Sequence, residues 1–420
     1  VAVLGTANLV AVAAPLATIP YLARTLGPAP WGAVLLAQAL VAWVVLLLDF
    51  ASDLHGARAV GQTPPTEQGA VVWGVQGGKL LLVPVALVLM GIAVLLLPPL
   101  RQHPALAAWS AVAAIARGVS PLWAIVARAG APGAPQETLR RALLVDTLAR
   151  VTAALGVLLV VHHPTHGWRV LALQGATSAA ALGWLWTALR RELPPPPHGN
   201  TGRDTAWLAT WMDGALRSLR RARALFAFRA LGTVYQSGAL LLLGALAPVT
   251  TVAAYGAADR LVRAALNLLD PLSRALLPRM ARWHAEGAPA WEGTVTKLLW
   301  WLGGGSLLTA MLVVVSAPVV VPVLFGKGYA NVVPLLRALA LLLPVVTVAT
   351  VLGFYWALPA GRDGLLLRAT ALAGAVNLLL VMVLVPRWGG GGMAGAVLAA
   401  EGVMVAVLAS AYRQRERAIR

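Results

Sequence analysis

The chain has no cysteine and little charge: 11% of its 420 residues are charged and 6% are aromatic. Without cysteine there can be no disulfide framework, thiolate nucleophile or cysteine-ligated metal. The shortage of charge excludes a water-soluble globule of this length, because soluble domains carry about 25% charged residues. Acidic residues are scarcest, with 15 Asp and Glu against 33 Lys and Arg, for a net charge of +18. Several chemical motifs are also missing. The run Gly389 to Gly392 is not followed by Lys-Ser/Thr, so it reads as a turn and not a phosphate loop. No nucleophile elbow occurs, and covalent catalysis is not expected. His162, His163 and His166 sit beside Pro164 and Gly167 without a carboxylate partner, so no metal site is expected. No cofactor is expected either. An apolar run begins at once with no basic stretch before it, so a cleavable leader is not expected.

What the sequence has instead is apolar length, with 59% of residues hydrophobic. Runs long enough to cross the roughly 30 Å hydrocarbon core recur throughout. Twelve spans are predicted, at 3–23, 32–55, 70–97, 104–127, 139–161, 168–189, 224–247, 250–275, 295–325, 332–357, 364–385 and 393–412. The fold class is therefore an all-α integral membrane protein. With the N-terminus inside, the inner loops collect Arg58, Arg128, Arg140, Arg141, Arg190, Arg191, Arg217, Arg220, Arg221 and the arginines after Tyr412. The outer loops then hold only Arg24, Arg101, Arg169, Lys327 and Arg387. The positive-inside rule places both termini in the cytoplasm on that pattern. It also explains the basic balance through anionic lipid, and no nucleic-acid partner is expected.

The longest polar interruption contains Pro194 to Pro197, followed by Trp207, Leu208, Trp211, Met212, Ala215, Leu216 and Leu219 at helical spacing. It reads as an amphipathic helix lying on the inner leaflet. It divides the chain into a six-helix bundle over 1–190, a cytoplasmic linker over 191–222 and a second six-helix bundle over 223–420. Leu26-Gly27 leading to Trp31-Gly32 is echoed by Leu243-Gly244 leading to Tyr255-Gly256. That echo points to a six-plus-six duplication, and transporters place substrate between such repeats.

A charge at the bilayer centre costs about 2.5–3.5 kcal/mol on insertion scales, so charges inside apolar spans mark cavities or partners. Here they are Arg24, Asp49, Asp53, Arg58, Lys79, Arg117, Arg150, Arg229, Asp259, Arg260, Arg263, Asp270, Arg274, Arg337, Arg368 and Glu401. Snorkelling accounts for those near span ends, such as Arg24 and Arg58, and Lys79 reads equally as a misplaced span boundary. Asp49, Asp53, Arg117, Arg150, Arg229, Asp259, Arg263 and Glu401 are the candidates for a cavity. Cations outnumber anions among the full set. A cavity with that balance suits an anion, above all a phosphate gripped by guanidinium.

The opening Pro15-Leu16-Ala17-Thr18-Ile19-Pro20-Tyr21-Leu22-Ala23-Arg24-Thr25-Leu26-Gly27-Pro28, with Trp31-Gly32, Ala37-Gln38, Asp49-Phe50 and Ala57-Arg58, resembles the bacterial polysaccharide and O-antigen flippases. These belong to the multidrug/oligosaccharidyl-lipid/polysaccharide exporter superfamily. Pro121-Leu122-Trp123, Tyr255 to Arg260, Phe325 to Tyr329, Asn377 to Pro386 and Gly395-Ala396 are similar to later landmarks in the same order. Where relatives continue with Gly and Glu after span four, this chain has Ala127-Arg128-Ala129. The resemblance implies two six-helix bundles forming a V around a central cationic cavity, in the bacterial cytoplasmic membrane. It implies an undecaprenyl-pyrophosphate-linked oligosaccharide as substrate, with Arg24, Arg58 and Arg260 meeting the pyrophosphate by similarity to lipid II flippases. A polysaccharide polymerase and glycosyltransferases are the implied partners, beside membrane lipid. The competing readings are a lipid II flippase, a multidrug cation antiporter and a non-transporting scaffold.

Overall fold

The computed structural model describes residues 18–129, 136–193, 204–267, 276, 280, 282–284, 286 and 290–419. All regular structure among them is helical. Seven helical stretches among the described residues are long and apolar enough to cross a membrane, so the chain is a multi-pass membrane protein. Their outward faces agree. Val88, Leu95 and Leu96 on one helix, and Leu308, Leu312, Val315 and Val319 on another, are large apolar side chains left exposed. Lipid tails are the solvent such faces require.

The predicted span 3–23 lies mostly outside the described residues, as do Asp270 and Arg274. The predicted spans 168–189, 224–247 and 250–275 fall on helices outside these seven. The last two predicted spans lie on one helix of 57 residues, Asp363–Ile419, whose path breaks at Gly389 with φ 52° and ψ −124°. A side chain would be strained there, and glycine is not.

The chain separates into two compact units, residues 1–233 and 234–420. In the first, α1 (18–26) turns through Gly27, at φ 75°, into α2 (Pro28–Asp49). Pro28 stands at the first helical position, where its missing N–H costs nothing. Thus Leu-Gly-Pro is a helix-to-helix corner written in sequence. Next come α3 (Ser52–Gly61), α4 (Gln68–Leu96), the single turn α5 (Pro98–Arg101), α6 (Pro104–Gly118), α7 (Leu122–Arg128), α8 (Gln136–Val160), α9 (Gly167–Glu192) and α10 (Asp204–Leu246), whose residues from 234 on belong to the second unit. Helix α2 packs on α6 and α9, α3 packs on α4 and α7, and α8 packs on α9.

Helix α10 differs from the sequence expectation. The stretch predicted to lie on a leaflet is the first half of a continuous 43-residue helix. At 1.5 Å per residue such a helix runs about 65 Å, far beyond the hydrocarbon core. Part of its apolar stripe packs on protein: a Cβ at Gly77 would sit 3.0 Å from the Trp211 ring, and one at Gly78 would sit 3.2 Å from Leu219. Glycines on α4 let the two helices approach, and that contact covers Trp211, Ala215 and Leu219, while Met212 and Leu216 stay exposed.

The second unit holds α11 (Val249–Leu266), α12 (Ala290–Phe325), α13 (Val332–Ala340), α14 (Leu342–Thr350), a π-helical turn over Val351–Ala357 and α15 (Asp363–Ile419). Helix α11 packs on α13 and α15, and α12 packs on α13 and α14. The Leu-Gly echo is not repeated in conformation, because Gly244 lies within α10 whereas Gly27 is left-handed.

Candidate functional site

Two interrupted helices build the site in the first unit. Between α2 and α3 the chain breaks at Phe50 and Ala51, with φ 45° and 56°. Two adjacent non-glycine residues in the left-handed region cost of order 1–3 kcal/mol each, so the surroundings must hold them. Phe50 is held by a stack on Phe226, with ring centroids 4.1 Å apart. The second break lies between α6 and α7, where Pro121 cannot donate a backbone hydrogen bond. It frees the carbonyls of Val119 and Ser120 at membrane depth, where an unsatisfied carbonyl is expensive.

Helix α4 closes both breaks from one face. Gln76 Nε2 donates to the Val119 carbonyl at 3.0 Å, and Gln76 Oε1 accepts from Trp123 Nε1 at 2.9 Å. Three residues on, Lys79 Nζ donates to the Ser120 carbonyl at 3.1 Å. Lys79 also pairs with Asp49 at 3.1 Å, and its side chain is only 3% exposed. Position 79 is therefore a buried counter-ion and not a span boundary. Close backbone approach makes room for this arrangement. A Cβ at Gly56 would overlap the Trp123 ring, and one at Gly118 would lie 2.5 Å from Leu48 Cβ.

Asp49 is the hub. It accepts from Ser52 Oγ at 2.7 Å, pairs with Lys79, and meets Arg229 Nη1 at 3.4 Å. Arg229 also pairs with Asp53, one helical turn along α3. Across the cavity, Arg150 pairs with Asp146 on α8 at 2.8 Å. Asp49, Asp53, Asp146, Arg150 and Arg229 line one cavity of about 440 Å³, together with Arg117, Ser120, Trp123 and small or apolar residues of α9, while Lys79 and Ser52 hold Asp49 from outside the lining. Its three carboxylates are matched by Lys79, Arg229 and Arg150. Arg117 forms no ion pair or hydrogen bond among the described residues, so its charge is the surplus.

The structure thus brings Asp49, Asp53, Arg117, Arg150 and Arg229 together. Asp146 and Ser120 line the cavity with them, and Gln76 holds Trp123 beside it; none of the three was singled out by sequence. Asp146 stands four residues before Arg150, and that spacing is the signal for a helical ion pair. Arg24 and Arg58 are exposed and do not line this cavity. Asp259, Arg260, Arg263 and Glu401 lie in the second unit. There Asp259 pairs with Arg263 at 2.7 Å along α11. Tyr255, one turn before Asp259, is buried, and its hydroxyl has no hydrogen-bond partner among the described residues.

The outer histidines are engaged locally. His162 Nδ1 lies 3.0 Å from the Tyr21 hydroxyl, His163 Nδ1 lies 3.0 Å from Thr165 Oγ1, and His166 Nδ1 lies 3.3 Å from Arg169 Nη1. Among the described residues no three His, Asp or Glu side chains are grouped to hold a metal.

Comparison with known proteins places this geometry. A family model described as polysaccharide biosynthesis protein matches residues 1–284. A protein of Escherichia coli (strain K12), provisionally named O-antigen transporter, is 23% identical over 404 residues, covering 94% of this chain and 91% of that protein. A Shigella dysenteriae protein of the same provisional name is 29% identical over 196 residues, covering 47% of this chain and 49% of that protein. Among solved structures, the lipid II flippase MurJ in an inward closed conformation superposes with a TM-score of 0.72 at 10% identity, covering 98% of this chain and 88% of that one. An inward-facing multidrug resistance MATE family transporter of the MOP superfamily superposes with a TM-score of 0.64 at 13% identity, covering 98% of both chains. At such identities these two structures establish the fold.

Proposed function

Since this chain belongs to the polysaccharide biosynthesis protein family, we propose that it is a flippase for a lipid-linked oligosaccharide. The substrate in this reading is undecaprenyl pyrophosphate carrying a surface-polysaccharide precursor. It moves from the inner to the outer leaflet of the bacterial cytoplasmic membrane by alternating access, with no covalent change. The reading requires twelve spans in two six-helix bundles that form a V, with both termini cytoplasmic. It is supported by a relative of nearly the same extent that is provisionally named for O-antigen transport.

One observation carries the choice of an anion: in a cavity whose carboxylates are all matched, Arg117 is the charge left over. A phosphate entering there meets a guanidinium without first breaking an ion pair. A cationic drug would find every carboxylate already occupied, which weighs against the antiporter reading that the MATE-like fold allows. Arg24, Arg58 and Arg260 form a second proposed set of pyrophosphate ligands, from the resemblance to lipid II flippases. Outward movement of negative charge from a negative interior is favoured by about 2.3 kcal/mol per charge per 100 mV.

Proteoliposomes holding a fluorescent undecaprenyl-pyrophosphate oligosaccharide test this. Head-group accessibility to an impermeant quencher should change faster with the protein than without it. Arg117→Ala should slow the exchange, and the triple Arg24→Ala/Arg58→Ala/Arg260→Ala variant tests the second set in parallel. Unchanged exchange in both variants would remove the cationic-site proposal. No exchange with any glycan, alongside protein-dependent movement of a cationic dye, would favour the antiporter.

A further inference from the structure

A second cavity, of about 340 Å³, lies between α3, α4 and α10. It shares no lining residue with the first. Helix α3 separates the two: Asp53 and Ala57 face the charged cavity, while His55, Ala59 and Gln62 face this one. Its geometry follows from a close crossing. A Cβ at Gly74 would meet the Gly214 carbonyl at 3.4 Å, so α4 and α10 nearly touch through their backbones. From Gly214, the residues three, four and seven positions on share its helix face, and these are Arg217, Ser218 and Arg221. All three line the cavity.

The lining is two-sided. Arg217 and Arg221 make the α10 wall basic, with His55, Gln62, Thr63 and Ser218 supplying polar groups. Ala70, Val71 and Val75 make the α4 wall apolar. Arg217 shares its charge with Asp213 at 3.0 Å, both side chains being more than half exposed, 58% and 62%. Arg221 forms no ion pair among the described residues. Asp213 is thus the one carboxylate bonded to this basic side among the described residues. A volume near the lower end of ligand pockets fits a headgroup and excludes a glycan chain.

We propose that this cavity binds the phosphodiester headgroup of an anionic phospholipid, with Arg221 and Arg217 on the phosphate and the acyl chains leaving along the apolar side. The apolar half is what selects a lipid over free phosphate. A soluble anion gains nothing from Val71 and Val75, whereas a lipid glycerol and its first methylenes do. The basic half selects the anionic lipid over a zwitterionic one, because a choline or ethanolamine cation would sit against two guanidiniums. The inference does not depend on the translocation reading.

The test uses the full chain in nanodiscs of phosphatidylcholine with a minor share of phosphatidylglycerol. Retained lipid is read by native mass spectrometry, and the detergent-solubilised chain is scanned for thermal shift with dihexanoyl phosphatidylglycerol or inorganic phosphate at equal concentration. Phosphatidylglycerol should be retained over phosphatidylcholine, and the short-chain lipid should raise the transition temperature. In Arg217→Gln/Arg221→Gln the affinity should fall roughly 10- to 30-fold, the scale set by two basic residues at an anionic surface. Arg220→Gln/Arg223→Gln removes the same charge outside the cavity lining and should keep the lipid. Equal loss in both double variants would make the effect one of general charge and overturn the site. So would undiminished retention in the first, or an equal shift from inorganic phosphate.

Discussion

Each unit contains a place where regular helix fails, and the two are closed in different ways. In the first unit, charged and amide side chains from α4 take over the freed carbonyls of Val119 and Ser120. In the second, the widened turn Val351–Ala357 is met by an indole, with Trp291 Nε1 donating to the Tyr355 carbonyl at 3.1 Å. Around it pack Met280, Val295 and Trp356, and Tyr412 meets Trp356 edge-on at 5.2 Å. The physical problem is the same, a backbone acceptor deprived of its helical donor. The consequences differ. An indole solves it with no charge, so the surroundings close into an aromatic core. A lysine solves it with a charge that needs Asp49, and Asp49 then draws Arg229 and a cavity beside it. The polar closure is the one that leaves room for a ligand.

The largest effect expected from breaking this contrast is at Lys79. Lys79→Met strands the Ser120 carbonyl and leaves Asp49 only Ser52 and the more distant Arg229, and losing one partner of a buried pair costs up to about 3–5 kcal/mol. Thermal unfolding in detergent should show a large drop, and adding Asp49→Asn should recover much of it. If Lys79→Met unfolds at the wild-type temperature, the pair contributes nothing and α4 is not the brace.

Gly56→Ala comes next. Its Cβ would overlap the Trp123 ring, and overpacking of this kind costs about 1–3 kcal/mol. Because Trp123 donates to Gln76, the variant should also loosen the closure at Val119, read as faster hydrogen exchange at the α6–α7 junction. In the second unit, Trp291→Phe keeps most of the packing and removes the donor to Tyr355. The cost is that of one unsatisfied buried carbonyl, about 1–3 kcal/mol. Placed beside Lys79→Met, it tests whether charge or mere donation sets the price of a broken helix.

These variants also show what was legible in the sequence. Asp49, Asp53, Lys79, Arg117, Arg150 and Arg229 stand out because charge in an apolar run is costly wherever it sits. Their pairing was not legible. Lys79 and Asp49 lie on different helices, and nothing local ties them. Gln76 and Ser120 are neutral and carry no such cost signal. The left-handed pair Phe50-Ala51 lacks the glycine that would announce it, since it is held by tertiary contacts such as the Phe226 stack. Gly27-Pro28 was legible because both residues suit their backbone locally. The contact of α10 with α4 through Trp211, Ala215 and Leu219 was not legible, because an apolar stripe looks alike whether lipid or a glycine-lined helix covers it.

Arg229→Gln should have the smallest effect on stability, and it sharpens the comparison within the first unit. Arg229 and Lys79 hold the same carboxylate, yet the Arg229 side chain is 38% exposed and that of Lys79 is 3%. A solvent-facing pair contributes about 0–1 kcal/mol, so the thermal transition of Arg229→Gln should stay close to wild type. Asp49 keeps Lys79 and Ser52, and only Asp53 loses its partner. The cavity, however, loses one positive charge and bares one negative charge, so an anionic headgroup should be repelled where Arg117 would draw it in. Flipping should therefore fall while folding does not, and adding Asp53→Asn should restore part of the rate by removing the bared charge. A large thermal destabilisation in Arg229→Gln would mean that the rim of the cavity is as buried as its floor, and the contrast between the two cations on Asp49 would fail.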